Sequence, residues 1–532
     1  MNKILKTALA LVLTVVLAVG LAATAFALPI NSGVEDNYFY NEAEQAVAAP
    51  LAYRTVMVKS AFDLGLDTRF SPEDMFVHED NLYILDSVGG RILVLDRNYS
   101  LVKTINRLYD TADYSVPDID ATTYNDDGST SVDATLAKSD KYAFNDPRGL
   151  FIDDDGMIYV ADYGNRRIVV CDSDGNCYKV YQSVRISYLG SSFIFRPLKV
   201  VLDNTGFLNV IAYGVNSGLV RMSADDGSFD SFFGRPEAGE SEADWISDFA
   251  EEISGTTSVA SSVAAEYVNV TIDNQGFIYV TAYPNDTNGA KPLKKLSADG
   301  SDVLYHADDE EFTVGDMDTD EYPQIIDVAI NEEADTYTVL DARTSRFFTY
   351  NSDGVLLYIG GGVGRQYGRL RSPTSIVCWD DQVIVCDNSN KCFTVYEFTD
   401  YAKTINQAMA DYNARDYDAA IESWQNVARY NSNMFLAYKT LGDIDLLLGQ
   451  TYDDDDPLKF QHISRALEYF VLAQDKDGYS SAYAEIRDIL LSRHFTLIFG
   501  TIVIFAVGIY VLVKVRKYRE KRREEKRRAG LV

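Results

Sequence analysis

Short apolar runs alternate with turns rich in Asp, Asn and Gly over most of the chain between residues 50 and 398. In the unit PRGLFIDDDGMIYVADYGNRRIVVCD, residues 147–172, a proline precedes an apolar run, and an Asp/Gly turn leads to a second run that ends at Asp162. A turn with Gly164 and Asn165 then leads to a third run. Short apolar runs bounded by such turn residues predict antiparallel β-strands.

The same order of runs and turns recurs along the chain. Clear copies begin at Pro72, as PEDMFVHEDNLYILDSVGGRILVLD, and at Pro373, as PTSIVCWDDQVIVCDNSNKCFTVYE. Weaker copies begin at Pro197, Val268 and Ile325. Repeated units of short strands indicate a radial array in which each unit forms one four-stranded blade. The sequence therefore predicts a mainly β fold, a six-bladed β-propeller.

The second unit resembles the NHL repeat through the pattern P-x-G-[LI]-x-x-D-x-x-G-x-I-Y-V-A-D-x-G-N-x-R-I. The matching positions are Pro147, Gly149, Leu150, Asp153, Gly156, Ile158 to Asp162, Gly164, Asn165, Arg167 and Ile168. The resemblance covers roughly residues 50–398 and implies the propeller fold. It also implies an alternative function, because some propellers of this shape are lactonases or lyases with metal ligands or a histidine base at the central channel.

Four repeated aspartates end the second run of their units, and we predict that their carboxylates accept local backbone N–H bonds and cap the following turn. They are Asp86, Asp162, Asp341 and Asp387. Their repetition favours a scaffold role over a site. Two insertions, residues 108–142 and 239–266, are predicted to be loops on one face of the propeller.

One predicted strand, YRTVMVKSAFD at residues 53–63, has no unit of its own. We expect it to pair with residues 392–398 as the outer strand of the last blade, because this pairing removes a free sheet edge. The preceding segment, residues 30–44, carries no repeat pattern and is predicted to be dispensable for folding.

From Tyr401 onward, the apolar positions follow a helical period, and the segment resembles tetratricopeptide repeats. The packing positions that carry this resemblance are Tyr417, Ala420, Ile421, Trp424, Ala437, Leu441 and Gly442. We predict a tetratricopeptide-like helical domain over residues 401–493. Such a domain serves either as a peptide-binding groove or as a spacer next to the membrane.

The N-terminus has the features of a secretory signal peptide. Lys3 and Lys6 precede an apolar run that ends near Ala25-Phe26-Ala27, an A-x-A cleavage sequence. This order of charge, apolar run and small residues predicts a signal peptide over residues 1–27, which is excluded from the fold.

A second apolar run, residues 495–513, contains no charged residue. Its length suffices to cross a hydrocarbon core of about 30 Å, which predicts a transmembrane helix over residues 494–514. Ten Lys and Arg residues and three Glu residues follow Val513. The positive-inside rule then predicts a basic cytoplasmic tail over residues 515–532, with the propeller and the helical domain extracellular.

Membrane propellers that look like this one occur in Gram-positive bacteria, and some of them occur alongside sugar importers. The resemblance implies a protein of the cell membrane that is associated with a sugar transport system. A binding or scaffold role at the outer surface is the function that this organisation favours.

The formal net charge of the chain is −32 at pH 7. Without the two lysines of the predicted signal peptide and the net +7 of the residues after Val513, the chain between them carries −41. Such a surface repels nucleic acid, which is therefore not expected among the partners. The acidity is predicted to be a solvated surface rather than a binding site.

The five cysteines form an odd set: Cys171, Cys177, Cys378, Cys386 and Cys392. The segments CDSDGNC and CDNSNKC each place two cysteines across a turn, which allows a disulfide within a hairpin of an exported protein. Free buried thiols are the alternative.

Metal chemistry has few residues to use. The four histidines are His78, His306, His462 and His494; because the last two lie outside the propeller, a three-histidine metal site is not expected there. The segments GDMDTDE and YDDDDP offer oxygen ligands for calcium, but neither has the spacing of a calcium-binding loop. No cofactor and no catalytic residue is therefore predicted.

The remaining prediction is a binding surface at the mouth of the propeller channel. The loops before the first strand and between the second and third strands of each unit lie on the same face. Glu73, Arg148, Lys199, Gln324 and Thr374 are predicted to ring the channel mouth, with Tyr163, Asn165, Arg166 and Tyr213 around them.

A mixed polar and aromatic rim of this kind suits a protein or carbohydrate ligand. The competing hypothesis is a lactonase or lyase site in the channel. Three or more convergent Asp, Glu, Asn or His side chains at the channel mouth would favour that enzyme.

Overall fold

The structure is a computed structural model that describes residues 37–40, 46–66, 70–124, 129–186, 189, 192–234, 266–284, 291–304, 314–316 and 321–528. The predicted signal peptide, His306, most of the insertion at 239–266 and part of the acidic segment 315–321 lie outside these residues. The chain divides into two compact units, residues 1–413 and 414–532.

The first unit is built mainly from short antiparallel strands. In chain order, the strands are β1 (Tyr38–Tyr40), β2 (Ala46–Ala48), β3 (Tyr53–Ser60), β4 (Pro72–His78), β5 (Asn81–Asp86), β6 (Arg91–Leu95), β7 (Leu101–Ile105), β8 (Thr122–Tyr124), β9 (Thr130–Val132), β10 (Gly149–Ile152), β11 (Ile158–Asp162), β12 (Arg167–Cys171), β13 (Cys177–Gln182), β14 (Pro197–Leu202), β15 (Phe207–Ala212), β16 (Leu219–Ser223), β17 (Phe229–Phe233), β18 (Tyr267–Ile272), β19 (Ile278–Ala282), β20 (Leu293–Leu296), β21 (Ile325–Asn331), β22 (Thr336–Asp341), β23 (Arg346–Asn351), β24 (Leu356–Gly361), β25 (Pro373–Trp379), β26 (Gln382–Asp387) and β27 (Cys392–Phe398).

Six sheets form the blades of a propeller, which confirms the predicted fold class. Blades 1 to 6 contain, from the inner to the outer strand, β4-β5-β6-β7, β10-β11-β12-β13, β14-β15-β16-β17, β18-β19-β20, β21-β22-β23-β24 and β25-β26-β27-β3. Blade 4 has three strands among the described residues. Apolar side chains of neighbouring blades pack into shared clusters, because each strand is buried between two sheets.

The first strand of the propeller closes its last blade, as predicted. β3 pairs antiparallel with β27, from Tyr53 opposite Phe398 to Ser60 opposite Cys392. The Tyr53 ring is fully buried, and its hydroxyl lies 2.7 Å from Oγ1 of Thr349 in blade 5. The pairing gives the outer edge of β27 a hydrogen-bonded partner.

Residues 37–40, within the segment predicted to be dispensable, contact the propeller, which argues against that prediction. β1 pairs with β2 in a short hairpin, and the side chain of Phe39 is fully buried. Oδ1 of Asn37 accepts the backbone N–H of Ile359 in β24 at 2.8 Å. The hairpin thereby satisfies a backbone group on the outer strand of blade 5.

The insertion at residues 108–142 has more structure than the predicted loop. It contains the β8–β9 hairpin and a single turn of 3-10 helix, Leu136–Lys138. Leu108, Val116 and Leu136 are buried, and the first two join the cluster between blades 1 and 2. The insertion is therefore packed onto the propeller by its apolar residues.

Five helices follow the last blade. They are α1 (Asp400–Asn413), α2 (Tyr417–Tyr430), α3 (Phe435–Gln450), α4 (Pro457–Ala473) and α5 (Lys476–Arg528). α1 belongs to the first unit, where Nζ of Lys403 lies 2.8 Å from Oδ2 of Asp381 in the turn between β25 and β26. The other four helices form the second unit.

The second unit buries most of the positions that carried the tetratricopeptide resemblance. Ala420, Trp424 and Ala437 are fully buried, and Leu441 is nearly so. A Cβ at Gly442 would lie 2.8 Å from the Phe470 ring, so α3 and α4 approach closely there. The assignment to that repeat family remains a prediction.

The last helix, α5, continues without interruption from the second unit through the apolar run into the basic tail. It is 53 residues long, and in the described part of the chain it is the helix that is long and apolar enough to cross a membrane. This is consistent with a single-pass anchor.

Candidate functional site

The two faces of the propeller differ in their residues. We call the first one the entry face: it holds the segments that enter the inner strands and the turns between the second and third strands. Backbone hydrogen bonds join these segments, from Ser87 N–H to Ser71 O at 3.0 Å in blade 1 and from Tyr213 N–H to Arg196 O at 2.9 Å in blade 3. We call the opposite side, with the turns between strands one and two and between strands three and four, the acidic face.

The acidic face explains much of the negative charge. Its turn aspartates are Asp80, Asp96, Asp153, Asp172, Asp203, Asp226, Asp273, Asp299, Asp353 and Asp380. Asp153 Oδ1 accepts the N–H groups of Asp155 at 3.1 Å and Met157 at 2.9 Å. Such a carboxylate stabilises its turn by local hydrogen bonds, so this acidity is built into the hairpins.

Hydrogen bonds of this kind also set the protonation of the turn carboxylates. Burial alone would raise the pKa of Asp172, but hydrogen bonds from the Asn176 side chain and from backbone N–H groups outweigh it and lower the pKa. The Asp172 carboxylate therefore stays ionised over the neutral range.

The four repeated aspartates are fully buried on the entry face and tie each turn to the segment that enters the blade. Asp86 Oδ1 accepts N–H groups from Ser71 at 2.9 Å and from Gly89 at 3.0 Å. Asp341 and Asp387 also accept backbone N–H groups of their own turns. The cap prediction is confirmed for these three residues.

Asp162 differs from its three counterparts because, within the described residues, it accepts no backbone N–H of its own turn. Its pairing with an arginine is shared by Asp86, whose Oδ2 lies 2.9 Å from Nε of Arg91. Asp162 accepts the Asn145 N–H at 2.8 Å, but its other partners are the side chains of Asn165 and Arg167. Burial raises the pKa of Asp162, and Arg167 opposes this rise. In the NHL-like unit, the aspartate is therefore held mainly by a buried ion pair.

A polar cluster fills the channel at the third residue of the inner-strand segments. The cluster consists of the side chains of Asp74, Lys199, Asn269, Asp327 and Ser375, and Gly149 takes the same position in blade 2. The first and third to sixth units each have a β-bulge just before this residue. Because a bulge inserts an extra residue and redirects the side chains that follow, it changes where each of these side chains points.

Lys199 lies in this channel cluster and not on the predicted rim. Its ammonium group is 2.9 Å from Oδ1 of Asp74, and Asn269 donates to Asp327 beside it. Asp74 Oδ2 also accepts the Leu150 N–H at 2.8 Å. The prediction failed because the bulge that redirects Lys199 has no signature in the sequence.

The two carboxylates and the lysine influence one another. Burial raises the pKa of Asp327 to about 6, although Lys199 opposes the rise and Asp74 adds to it. Burial alone would lower the pKa of Lys199, but Asp74 and Asp327 outweigh it and raise the pKa. Lys199 therefore stays charged at neutral pH.

The polar atoms of this cluster are already engaged. Asp327 accepts the N–H groups of Val328 at 2.8 Å and Ile376 at 2.7 Å, besides the Asn269 amide. Asp74, Asn269 and Asp327 are at most 6% exposed. The cluster thus contains three convergent carboxylate and amide side chains, but they join the inner strands and are covered from solvent.

The predicted rim residues Glu73 and Arg148 meet on the entry face. Nη1 of Arg148 lies 2.9 Å from Oε1 of Glu73, and Nη2 lies 3.0 Å from Oδ2 of Asp146. Burial alone would lower the pKa of Arg148, but these two carboxylates outweigh it and raise the pKa. The Arg148 side chain is 39% exposed, so its charged group remains reachable.

Two predicted tyrosines lie next to this arginine. The guanidinium groups of Arg148 and Arg196 each lie 5.8 Å from the centroid of the Tyr163 ring. Tyr213 meets Tyr163 edge to face, with 6.2 Å between ring centroids, and is 56% exposed. Tyr283 takes the same turn position in blade 4 and is 42% exposed. We call Arg148, Tyr163, Arg196 and Tyr213 the arginine–tyrosine surface.

Four other predicted rim residues take different positions. Asn165 is buried and donates to Ala143 O at 3.0 Å, so it belongs to the turn and not to the rim. Thr374 Oγ1 donates to Pro72 O at 2.8 Å and joins blade 6 to blade 1. Gln324 lies exposed on the entry face of blade 5. Arg166 is 9% exposed and points into a side cavity.

Sequence reasoning missed several residues at these sites. Asp74, Asn269 and Asp327 share one position in their units, so an alignment of the units on their first residues could have found them. Arg185 and Tyr124, which line the side cavity, lie in segments without the repeat pattern, and nothing in the sequence linked them to the entry face.

Metal ligands do not converge in the part of the chain that the structure describes, where no group of three or more His, Cys, Asp or Glu residues is arranged to hold an ion. In the acidic segment YDDDDP, Asp454 pairs with Lys459 at 2.7 Å, and Asp456 caps α4 through the Leu458 N–H at 2.8 Å. All five cysteines are free thiols. Burial raises the pKa of Cys177 to about 11, so this thiol stays protonated at neutral pH.

Comparisons with known proteins agree with the repeat assignment. The NHL repeat family matches residues 144–171, which span β10 to β12 in blade 2. Among curated proteins, none matches this chain.

Several solved structures are similar to this chain at low identity. The virginiamycin B lyase from Staphylococcus aureus is 12% identical, with 65% of this chain and 100% of that chain covered and a TM-score of 0.37. A streptogramin B lyase is 14% identical, with 66% and 100% covered and a TM-score of 0.38. The hydrazine synthase from Kuenenia stuttgartiensis is 12% identical, with 62% and 96% covered and a TM-score of 0.35. At these values, the likenesses carry no argument about the function of this chain.

Proposed function

We propose that this chain is a membrane-anchored binding and scaffold protein, in which the entry face of an extracellular propeller binds a protein or carbohydrate ligand. The observation that carries the proposal is the arginine–tyrosine surface. Two arginines and two tyrosines meet there, in a chain with a net charge of −32. Aromatic and arginine side chains that are held in place by neighbours are typical of binding surfaces.

The two faces carry different charged residues, and this difference supports a ligand site on the entry face. The turn aspartates of the acidic face concentrate carboxylates on that side, which disfavours the approach of anionic partners there. The entry face instead presents arginines whose charged groups are partly exposed. An approaching ligand with acceptor groups is favoured on the entry face.

The central channel supports a scaffold role better than an enzyme of lactonase or lyase type. Its carboxylates form hydrogen bonds with backbone N–H groups of neighbouring blades and an ion pair with Lys199. A general acid or base needs a reachable group with a free proton site. The cluster joins the inner strands instead of facing a substrate.

The anchor in the proposal is α5, and its basic end supports a cytoplasmic C-terminus. The membrane is then a partner through one helix, and nucleic acid is not a partner because the exported part is strongly acidic. The tetratricopeptide-like helices serve as the spacer between the propeller and the anchor.

The experiment is co-purification of the intact protein from detergent-solubilised membranes of its host, together with a glycan-array screen. We expect a ligand or partner to bind the wild type and to be lost, or weakened about tenfold or more, in the double variant Arg148→Ala and Tyr213→Ala. Both side chains are partly exposed, so the fold should survive.

The matched control changes the same residue types on the acidic face, Arg97→Ala and Tyr178→Ala. The Arg97 side chain is 52% exposed, and Tyr178 is 49% exposed. Equal loss of the partner in both double variants, or retention in both, would contradict a binding site on the arginine–tyrosine surface.

A further inference from the structure

A small cavity lies on the entry face of blade 2, beside the arginine–tyrosine surface. Its volume is about 30 Å³, which is enough for one or two atoms the size of a water oxygen. The lining is half polar and half apolar: Asp120, Thr122, Tyr124, Arg166, Ser183, Val184, Arg185, Phe193, Ile194 and Phe195. The cavity therefore joins a place for a small polar group to an apolar wall.

Arg166 is the buried charge of this cavity. Its side chain is 10% exposed, and Nη2 forms an ion pair with Oδ2 of Asp133 at 3.0 Å. Its Nη1 is buried and has no hydrogen-bond partner within the described residues. A buried donor without a hydrogen-bond partner raises the free energy of the folded protein. An incoming acceptor that bonds to Nη1 would remove this cost.

The surrounding charges leave this guanidinium short of negative partners. Arg196 lies close enough to oppose it, and Arg185 lines the cavity, stacked 3.7 Å from the centroid of the Tyr124 ring. Burial and Arg196 lower the pKa of Arg166, while Asp133 and Asp120 oppose this shift. The charged residues that line the cavity are thus two arginines, Arg166 and Arg185, and one carboxylate, Asp120.

The carboxylate of Asp120 is already engaged. It accepts the Thr122 N–H at 2.9 Å and the hydroxyl of Ser183. Among the described residues, the buried polar atom of this cavity without a hydrogen-bond partner is Nη1 of Arg166, which can only donate. A sugar hydroxyl donates as well as accepts, whereas a carboxylate only accepts and matches the planar guanidinium.

We propose that this cavity binds the carboxylate at the C-terminus of a peptide whose last residue is apolar. Arg166 and Arg185 hold the two carboxylate oxygens inside the cavity, and the side chain lies at the mouth beside the partly exposed Phe193 and Ile194. The apolar half of the lining is the reason to prefer a peptide over an acidic sugar, whose ring hydroxyls would have no partners there. The inference deepens the proposed function and rests on it, because it specifies the ligand of the same face.

The test is saturation-transfer NMR on the full chain in detergent micelles. The probe is N-acetyl-glycyl-leucine with a free carboxylate, compared with its C-terminal amide, digalacturonate and inorganic phosphate. We expect the free acid to bind at millimolar concentration and the amide to bind at least about tenfold more weakly, since it lacks the charge-assisted bond.

Two variants and one control connect this binding to the cavity. Arg166→Lys keeps the charge but loses the planar fork, and Arg185→Gln removes the charge of an exposed side chain. Each substitution should weaken the binding of the free acid by about five- to tenfold. Arg97→Gln on the acidic face should leave its binding unchanged.

Several results would overturn the proposal. They are equal binding of acid and amide, no binding of the free acid, unchanged binding in Arg185→Gln, or competition by phosphate as strong as that of the acid. Binding of digalacturonate alone would replace the peptide by an acidic sugar. If a host partner depends on Arg148 and Tyr213 but not on Arg185, this inference fails while the proposed function stands.

Discussion

Asp162 and Arg167 form an ion pair in which both side chains are fully buried, with 2.8 Å between Oδ2 and Nε. Arg167 also donates to the carbonyl oxygens of Lys141 at 2.9 Å and Ala143 at 3.1 Å. The pair therefore joins the second and third strands of blade 2 to the insertion before the blade. The neighbouring Arg166 adopts a left-handed backbone conformation, with φ of 58°, and points into the cavity instead.

We predict that Asp162→Ala destabilises the propeller by about 3–5 kcal/mol, because it leaves the Arg167 charge buried without its partner. This is larger than the roughly 1 kcal/mol that a simple turn cap would contribute. Urea unfolding followed by far-UV circular dichroism measures the difference. The control is Arg54→Ala, which breaks a half-exposed ion pair with Glu397 and should cost less than about 1 kcal/mol. Similar costs for both variants would contradict a structural role for the buried pair.

The N-terminal hairpin gives a second prediction. Phe39 is fully buried, so Phe39→Ala should cost about 3–5 kcal/mol of unfolding free energy through lost packing and a cavity. Leu51→Ala, at a residue 41% exposed, should change stability by less than about 1 kcal/mol. The urea midpoints of the two variants, compared with that of the wild type, measure these changes in stability. A Phe39 variant as stable as the Leu51 variant would show that the hairpin does not contribute to the fold.

Closure of the ring gives a third prediction. Deletion of Tyr53–Ser60 removes the partner of β27 and should abolish cooperative unfolding and promote aggregation, because an unpaired strand edge is exposed. Hydrogen exchange should show loss of protection at the amides of Cys392–Phe398. Unchanged protection there after the deletion would mean that β3 does not close the sixth blade.

The channel cluster gives a pH-dependent prediction. The pKa of Asp327 is raised to about 6 in the folded protein and is about 3.9 in an unfolded chain, so the folded state binds the extra proton between these values. Its contribution to stability should therefore increase as the pH falls from about 6 to about 4. In the pH range in which the folded state holds this proton and the unfolded state does not, the free energy of unfolding should rise by about 1.4 kcal/mol for each pH unit that the pH is lowered.

Urea midpoints at pH 5 and pH 7 test this when wild type is compared with Asp327→Asn. Carboxylates with lowered pKa values, such as Asp203, change stability in the opposite direction in both proteins, so only the difference between the two slopes reports on Asp327. Identical slopes would show that Asp327 does not hold a proton in this range.

Membrane topology gives a fifth prediction. Because ten basic residues follow the apolar part of α5, protease added to cells without a wall should remove the propeller and leave a small membrane-bound C-terminal fragment. An epitope tag after Val532 detects this fragment on a gel. A propeller that stays intact until the membrane is permeabilised would reverse the proposed orientation.

The sequence predicted the fold well because each blade repeats the same order of strands and turns. The closure by β3 was also predictable, since residues 53–63 formed a strand without a unit. Side-chain direction was harder to predict. Lys199 turns into the channel after a bulge, and a bulge follows from the pairing of two strands rather than from the residues of one.

The candidate site was only partly visible for a related reason. Arg166 and Arg167 are adjacent and identical in type, but one is the cross-strand neighbour of Asp162 and the other adopts a turn conformation. Their burial and partners depend on the insertion at residues 108–142, which has no repeat to align. Glu73, Arg148, Tyr163 and Tyr213 lie together on the entry face because they follow positions that the repeat defines, and their role in binding stays a prediction.

The pairing of β3 with β27 also affects how the protein is made. Arg54 and Glu397, which meet across this pair, are 343 residues apart in the sequence. At a synthesis rate of about 5–20 residues per second, the first strand waits for about 20–70 seconds before its partner leaves the ribosome. During that interval the growing chain exposes an unpaired edge, and it needs either delayed collapse or a chaperone to avoid misassembly. A prematurely terminated chain lacks β27 and can never close, so ring closure distinguishes complete molecules from incomplete ones.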